Sequence, residues 1–158
     1  MKKLVLFVGL GVLLAGTAAV AKDTKMKKEP MGTAAGDIKW ETDPKAPPGA
    51  PSIHVMWGDP TKGAYGALVK FPKGANMPMH WLTHDNHAVG MAGTLTITTE
   101  DGKSISLKHG SGGMLPGKTK HTTKCGDDAE CIIMAYQPGK DDMHLVKDNK
   151  TAAGDMKK

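Results

Sequence analysis

From Ile53 onward the chain is cut at nearly regular intervals by turn chemistry, and nowhere do ten consecutive residues keep a helical apolar period. The run Ile53 to Trp57 ends at Gly58-Asp59-Pro60, Tyr65 to Phe71 at Pro72-Lys73-Gly74, Thr94 to Thr99 at Glu100-Asp101-Gly102, and Ser104 to Leu107 at Lys108-His109-Gly110. Each break holds Gly, Asp or Pro, the residues that set turns. Further β-prone runs cover His87 to Met91, Lys118 to Thr123, Cys131 to Tyr136 and Met143 to Val146. About eight or nine short strands in a domain of about a hundred residues predict an all-β jelly roll or small barrel.

Within this rhythm lie four histidines at spacings that suit a metal cup: Gly74, five residues, His80, then His84, His87 and Gly93; later Gly110, five residues, Pro116, four residues, His121. Strand parity points His80 with Pro78 and Leu82, and turns Met77, Met79 and Trp81 the other way. A bend over Thr83 to Asn86 can bring His84 beside His80 and His87. His87, Val89 and Met91 share one face of the next strand, and the small Gly90 and Ala92 the other. His121 shares a face with Thr119 and Thr123. Three or four imidazoles meeting at one point coordinate Zn, Fe, Mn, Ni or Cu, and must be neutral to do so.

Neighbouring residues have plainer roles in this reading. His54, His109 and His144 read as surface or hydrogen-bonded residues. Asp85 either caps the bend or serves a ligand histidine as acceptor or base. Met77 and Met79 read as core filling, while Val89, Met91, Leu95, Ile97 and Met114 are expected on the cavity wall.

Cys125 and Cys131 flank Gly126-Asp127-Asp128-Ala129-Glu130, which reads as a hairpin loop. Cysteines across a hairpin neck fall within disulfide reach. The rival reading is a thiol near the metal, since Cys125 lies on the face of His121 if that strand continues.

Taken together, the two histidine stretches resemble the two motifs of the cupin superfamily, over roughly Ile53 to Val146. Gly74, His80, Gly93, Gly110, Pro116 and His121 fall on the pattern, whereas Leu82 stands at the second His, His87 at the Glu, Lys118 at the second-motif Gly and Cys125 at the Asn. The resemblance extends to small secreted bacterial cupins of unassigned activity, through Val55-Met56-Trp57-Gly58-Asp59-Pro60 and His87-Ala88-Val89. It implies a single-domain cupin jelly roll with one divalent transition metal (Zn, Fe, Cu, Ni or Mn) on His80, His84, His87 and His121. Without the carboxylate the site suits hard Mn less well than Zn, Cu, Ni or Fe. The function implied is binding of a small organic ligand at the open metal position, with oxygenase, hydrolase or isomerase chemistry. The alternative is a non-catalytic sensor or metal-buffering module, because one fold hosts many functions and no Glu lies near the histidines.

The ends of the chain point to export. Met1-Lys2-Lys3, an uncharged apolar stretch from Leu4 and Ala19-Val20-Ala21 have the layout of a signal peptide cut after Ala21. Residues 22–38 read as a disordered lysine-rich lead, 39–146 as the barrel and 147–158 as a disordered tail. The expected location is periplasmic or secreted, with no stable membrane insertion once the signal is gone. All 21 basic residues are lysine, so the net charge of +5 lacks the bidentate fork that reads bases or clamps phosphate, and nucleic acid is not an expected partner. Exposed strand edges allow a homodimer.

Overall fold

In the computed structural model, ten strands follow one another among the described residues, which are 32–44, 46 and 49–146. They are β1 (Ser52–Gly58), β2 (Tyr65–Phe71), β3 (Asn76–Trp81), β4 (Asn86–Ala92), β5 (Leu95–Thr99), β6 (Ser104–Leu107), β7 (Gly112–Leu115), β8 (His121–Cys125), β9 (Cys131–Gln137) and β10 (His144–Leu145). All pairings are antiparallel and form two five-stranded sheets, β1-β2-β9-β4-β7 and β10-β3-β8-β5-β6. The fold is the expected all-β jelly roll, in which the inner faces of two sheets enclose one interior. The signal segment 1–21, residues 22–31 of the lead and the tail 147–158 lie outside the described residues.

Ahead of the sheets, the described part of the lead holds one exposed 3-10 turn, Ala35–Asp37. Glu41 then pairs with Ile53, each backbone N–H donating to the other's carbonyl at 2.8 and 2.7 Å. The Lys70 ammonium sits 4.7 Å from the ring centroid of Trp40, so the extended segment is tied to β1 and β2 on both sides.

The strands differ most from the sequence reading in two places. Gly112–Leu115 forms β7, where the sequence reading gives no β-prone run; its pairing with β4 fixes the strand. The run beginning at Lys118 becomes a strand only at His121, because Pro116 to Thr119 is a tight turn closed by the Thr119 N–H on the Pro116 carbonyl at 3.2 Å. Lys118 has φ +64°, the one positive φ among described non-glycine residues, at the place where the cupin pattern has glycine. Its backbone N–H donates to the Leu82 carbonyl at 2.7 Å, which fixes the conformation from outside the turn.

Cys125 and Cys131 form a disulfide and are both fully buried. The loop between them is not a hairpin: β8 lies in one sheet and β9 in the other, so the bond ties the two sheets together. Around it Phe71, Ala75, Leu95, Leu107 and Ile133 make the apolar core.

A bulge in β3 changes its parity. Met77 pairs with Thr123 and His80 with His121, so three steps along β3 match two along β8. The extra residue resets the alternation, and Met77 turns inward with His80 and packs on the core.

Candidate functional site

The interior holds a cavity of about 820 Å³ whose lining divides by chemistry. At the disulfide end the walls are apolar: Phe71, Leu95, Leu107 and Ile133, with Val69 and Ile97 between. At the other end sit the polar groups. β3 ends and β8 begins there, giving His80 and His121 as cross-strand partners. On the facing sheet β2 begins with Tyr65, paired with Gln137 at the end of β9, and β4 begins with Asn86. The connection from β9 to β10 adds Asp141.

His80 and His121 are almost fully buried, with ring centroids 4.2 Å apart and planes inclined by 54°. In each ring Nδ1 lies against the carbonyl two residues back, that of Pro78 at 2.7 Å and that of Thr119 at 2.8 Å. A carbonyl only accepts, so Nδ1 carries the proton and Nε2 the lone pair in the neutral ring. Burial lowers the pKa of His80, partly offset by the Pro78 bond; burial likewise lowers that of His121, offset by the Thr119 bond and reinforced by repulsion from His80. No protein group among the described residues hydrogen-bonds either Nε2, and neither atom is sealed from the cavity. The pair therefore presents two adjacent acceptors.

The facing polar groups hold one another. Asn86 Nδ2 donates to Gln137 Oε1 at 3.4 Å, and Gln137 Nε2 donates to the Lys140 carbonyl at 2.8 Å. The Asp141 N–H donates to the Pro60 carbonyl at 2.8 Å, which anchors the connection. Asp141 is exposed as a residue, but its carboxyl turns in to the Tyr65 hydroxyl. Burial of that carboxyl is the largest influence on it and raises its pKa; the Tyr65 bond opposes this. The Tyr65 hydroxyl is raised above its usual range, first by burial and then by Asp141.

The other two predicted ligands lie elsewhere. His87 is exposed on the outer face of β4, opposite Met114 and Tyr136, 6.0 Å from the Tyr136 ring. The inner face is crowded next to it: a Cβ on Gly90 would lie 2.2 Å from the Lys108 carbonyl oxygen, and the buried positions there are the small Ala88 and Gly90. Val89 and Met91 follow His87 outward, contrary to their expected place on the cavity wall; Leu95 and Ile97 do line it, and Met114 touches it while remaining exposed.

The bend carrying His84 is fastened by three contacts. Lys118 bonds Leu82, the Thr83 N–H donates to Asp142 Oδ1 at 3.1 Å, and the Gly117 N–H donates to Asp85 Oδ1 at 2.8 Å. Asp85 thus ties turns together. Held this way, the His84 ring packs on Gly139, where a Cβ would lie 2.1 Å away, and does not reach the cavity. Leu82, at the position of a second motif histidine, does line it.

Coordination of a zinc-like ion requires three or four protein donors around one point. Among the described residues no three His, Cys, Asp or Glu side chains are so gathered. The expected four-histidine cup thus reduces to the His80–His121 pair: Leu82 puts an isobutyl group where a donor would be, and His84 and His87 turn away. These residues do not fit the expected divalent ion. Tyr65, Asn86, Gln137 and Asp141 were not anticipated, since only the register Tyr65↔Gln137 brings residues so far apart in sequence to one end.

Residues 20–140 match the family described as "Domain of unknown function (DUF4437)". No curated protein matches the sequence. Among solved structures, the polyketide cyclase RemF from Streptomyces resistomycificus is similar over 77% of this chain and 89% of its own, at 14% identity and a TM-score of 0.63. The DMSP lyase DddQ from Ruegeria pomeroyi is similar over 70% of this chain and 61% of its own, at 15% identity and TM-score 0.57. An RmlC-like cupin from Shewanella frigidimarina is similar over 72% of this chain and 94% of its own, at 17% identity and TM-score 0.54. At these identities the likeness shows a shared fold, the cupin jelly roll.

Proposed function

We propose that this chain, which belongs to the DUF4437 family of cupin-like proteins, binds a small amphiphilic organic molecule inside its barrel, with the polar end of that molecule on His80 and His121. The observation that carries this reading is the pair of adjacent Nε2 acceptors opening onto an interior of about 820 Å³ with an apolar floor. Such a volume and such a split between apolar wall and few polar groups are what small-molecule sites have.

The chemistry open to the pair is acceptance of a proton or hydrogen bond. Each imidazole is kept neutral by burial and oriented by its Nδ1–H bond, so Nε2 is ready to take a proton from a bound hydroxyl, ammonium or carbon acid. Protonation of one ring opposes protonation of the other at this separation, so the pair acts as a one-proton acceptor. Asp141 and Tyr65 supply a second polar contact at the same end.

Export is part of the proposal. It is supported by the layout of Met1 to Ala21 and by the Cys125–Cys131 disulfide, since such bonds persist in oxidising compartments. No helix among the described residues is long and apolar enough to cross a membrane.

Imidazole nitrogen NMR of the full chain during titration with small bicyclic fragments tests the reading. Binding is expected to move the Nε2 signals of His80 and His121, and His80→Ala or His121→Ala is expected to weaken it about tenfold. Fragments that bind without moving either signal would refute it. Stoichiometric transition metal in tag-free protein would instead show that the imidazoles gather around an ion, and would return the four-histidine cup.

A further inference from the structure

The charge around the cavity runs against that of the chain. The sequence carries a net charge of +5, yet among the described residues the ionisable lining is Glu41, Asp43 and Asp141 with one cation, Lys73, and the two histidines neutral. Lys73 lies in the turn after β2, at the disulfide end, because β2 runs from Tyr65 at the polar end to Phe71 beside Cys131. Among the described residues the polar end therefore holds a carboxylate and no ammonium.

Hydrogen-bond bookkeeping sharpens this. Both ring Nδ1–H groups are taken by backbone carbonyls, and the Tyr65 hydroxyl neighbours the Asp141 carboxyl. The amide groups of Asn86 and Gln137 each donate one of their two N–H groups to a protein oxygen. The neighbouring Asp142 is occupied by the Thr83 N–H and His144. The three groups at this end with lone pairs that no ring N–H or amide fills are His80 Nε2, His121 Nε2 and the Asp141 carboxylate, so acceptors outnumber the amide N–H groups left over.

We propose that the ligand is an organic cation, a primary or secondary amine whose ammonium is received by the Nε2 atoms of His80 and His121 and by the Asp141 carboxylate while its apolar body lies on the aliphatic walls. This rests on the reading of the barrel as a ligand site and adds the ligand's class. A buried ammonium requires an acceptor for each N–H and a countercharge, or its lost hydration is not replaced. Two imidazole lone pairs and one carboxylate meet both needs. An anion would meet the Asp141 charge with few free donors, and a neutral alcohol would use the imidazoles and leave the carboxylate without a partner.

The test is calorimetric titration of the full chain near neutral pH, after treatment with a chelator, using naphthylmethylamine, naphthylmethanol and naphthoate, which share one apolar body. The amine is expected to bind about tenfold more tightly than the alcohol, and naphthoate most weakly. Asp141→Asn is expected to weaken the amine about tenfold and leave the alcohol within about twofold. Equal binding of amine and alcohol, or preference for naphthoate, would overturn the cation assignment and leave the barrel as a ligand site. An Asp141→Asn protein that keeps full affinity for the amine would also overturn it. If none of the three binds to natively folded protein, the ligand-site reading fails with it. The amine-to-alcohol ratio in the unaltered chain decides the matter even if the variant does not fold.

Discussion

Replacing Cys125 and Cys131 by alanine removes two separable contributions to stability. The first is the cross-link: with a sequence separation of 6, closing so short a loop restricts the unfolded chain by about 2 kcal/mol. The second is packing, because both sulfurs are fully buried in the apolar core, and each removed group costs about 1 kcal/mol in lost burial and the void left behind. The double variant should lose about 4 kcal/mol, a large share of the roughly 5–15 kcal/mol that holds a domain of this size. Urea unfolding measures this from the midpoint, with the slope checked for change. Reduced wild-type protein keeps both sulfurs in place and separates the parts: it should lose about 2 kcal/mol, and the alanine variant about 2 kcal/mol more. If reduction leaves the midpoint unmoved, the cross-link term is absent and the reasoning from loop closure is wrong. If the alanine variant matches reduced wild type, the sulfurs do not pack as described.

Three further outcomes follow from particular residues. Lys118→Gly should stabilise the protein by about 0.5–1 kcal/mol, since relief of the left-handed backbone outweighs the added freedom of glycine in the unfolded chain; an unchanged or lowered melting temperature would contradict this. Gly90→Ala should destabilise by about 2–3 kcal/mol, because the new methyl meets the Lys108 carbonyl at 2.2 Å; a neutral result in denaturant unfolding would refute the crowding on the inner face of β4. Burial holds His80 and His121 below the ordinary imidazole value of 6.5, so the unfolded chain takes up protons that the folded pair refuses. The stability this pair contributes is present above that value and is lost as pH falls below it toward the depressed folded values. Unfolding midpoints at about pH 7.5 and pH 5.5 should show the loss, and His80→Gln with His121→Gln should flatten it; an equal slope in the variant would place the titration elsewhere.

How much of this was legible in the sequence depends on the range of the interaction. Turn residues mark most strand ends locally, so Tyr65–Phe71 and Ser104–Leu107 are read to the residue. His80 and His121 emerge from motif spacing, and the structure pairs them directly. Parity, however, needs an uninterrupted strand: the β3 bulge moves Met77 inward, and its one local mark is Pro78, which has no N–H to give to the ladder. It also needs to be known which face is inside. The small residues Ala88 and Gly90 carried that signal, since a face lined with Ala and Gly is where backbone approaches closely, but their crowding partner Lys108 lies far along the chain. The disulfide was readable from spacing, while its span between sheets was not, because a five-residue polar loop looks alike whether it turns within one sheet or crosses to the next. Tyr65, Gln137 and Asp141 escape any local reading, as their meeting is set by long-range register.

The covalent tie between the sheets and the residues that would meet a ligand occupy opposite ends of the barrel. Leu82, Asn86 and Asp141 therefore lie away from the bond that joins the sheets, and their side chains are not part of that tie. Such a layout favours diversification: proteins built on the same cross-linked end can acquire new selectivity by altering a handful of positions at the polar end while the covalent tie is kept.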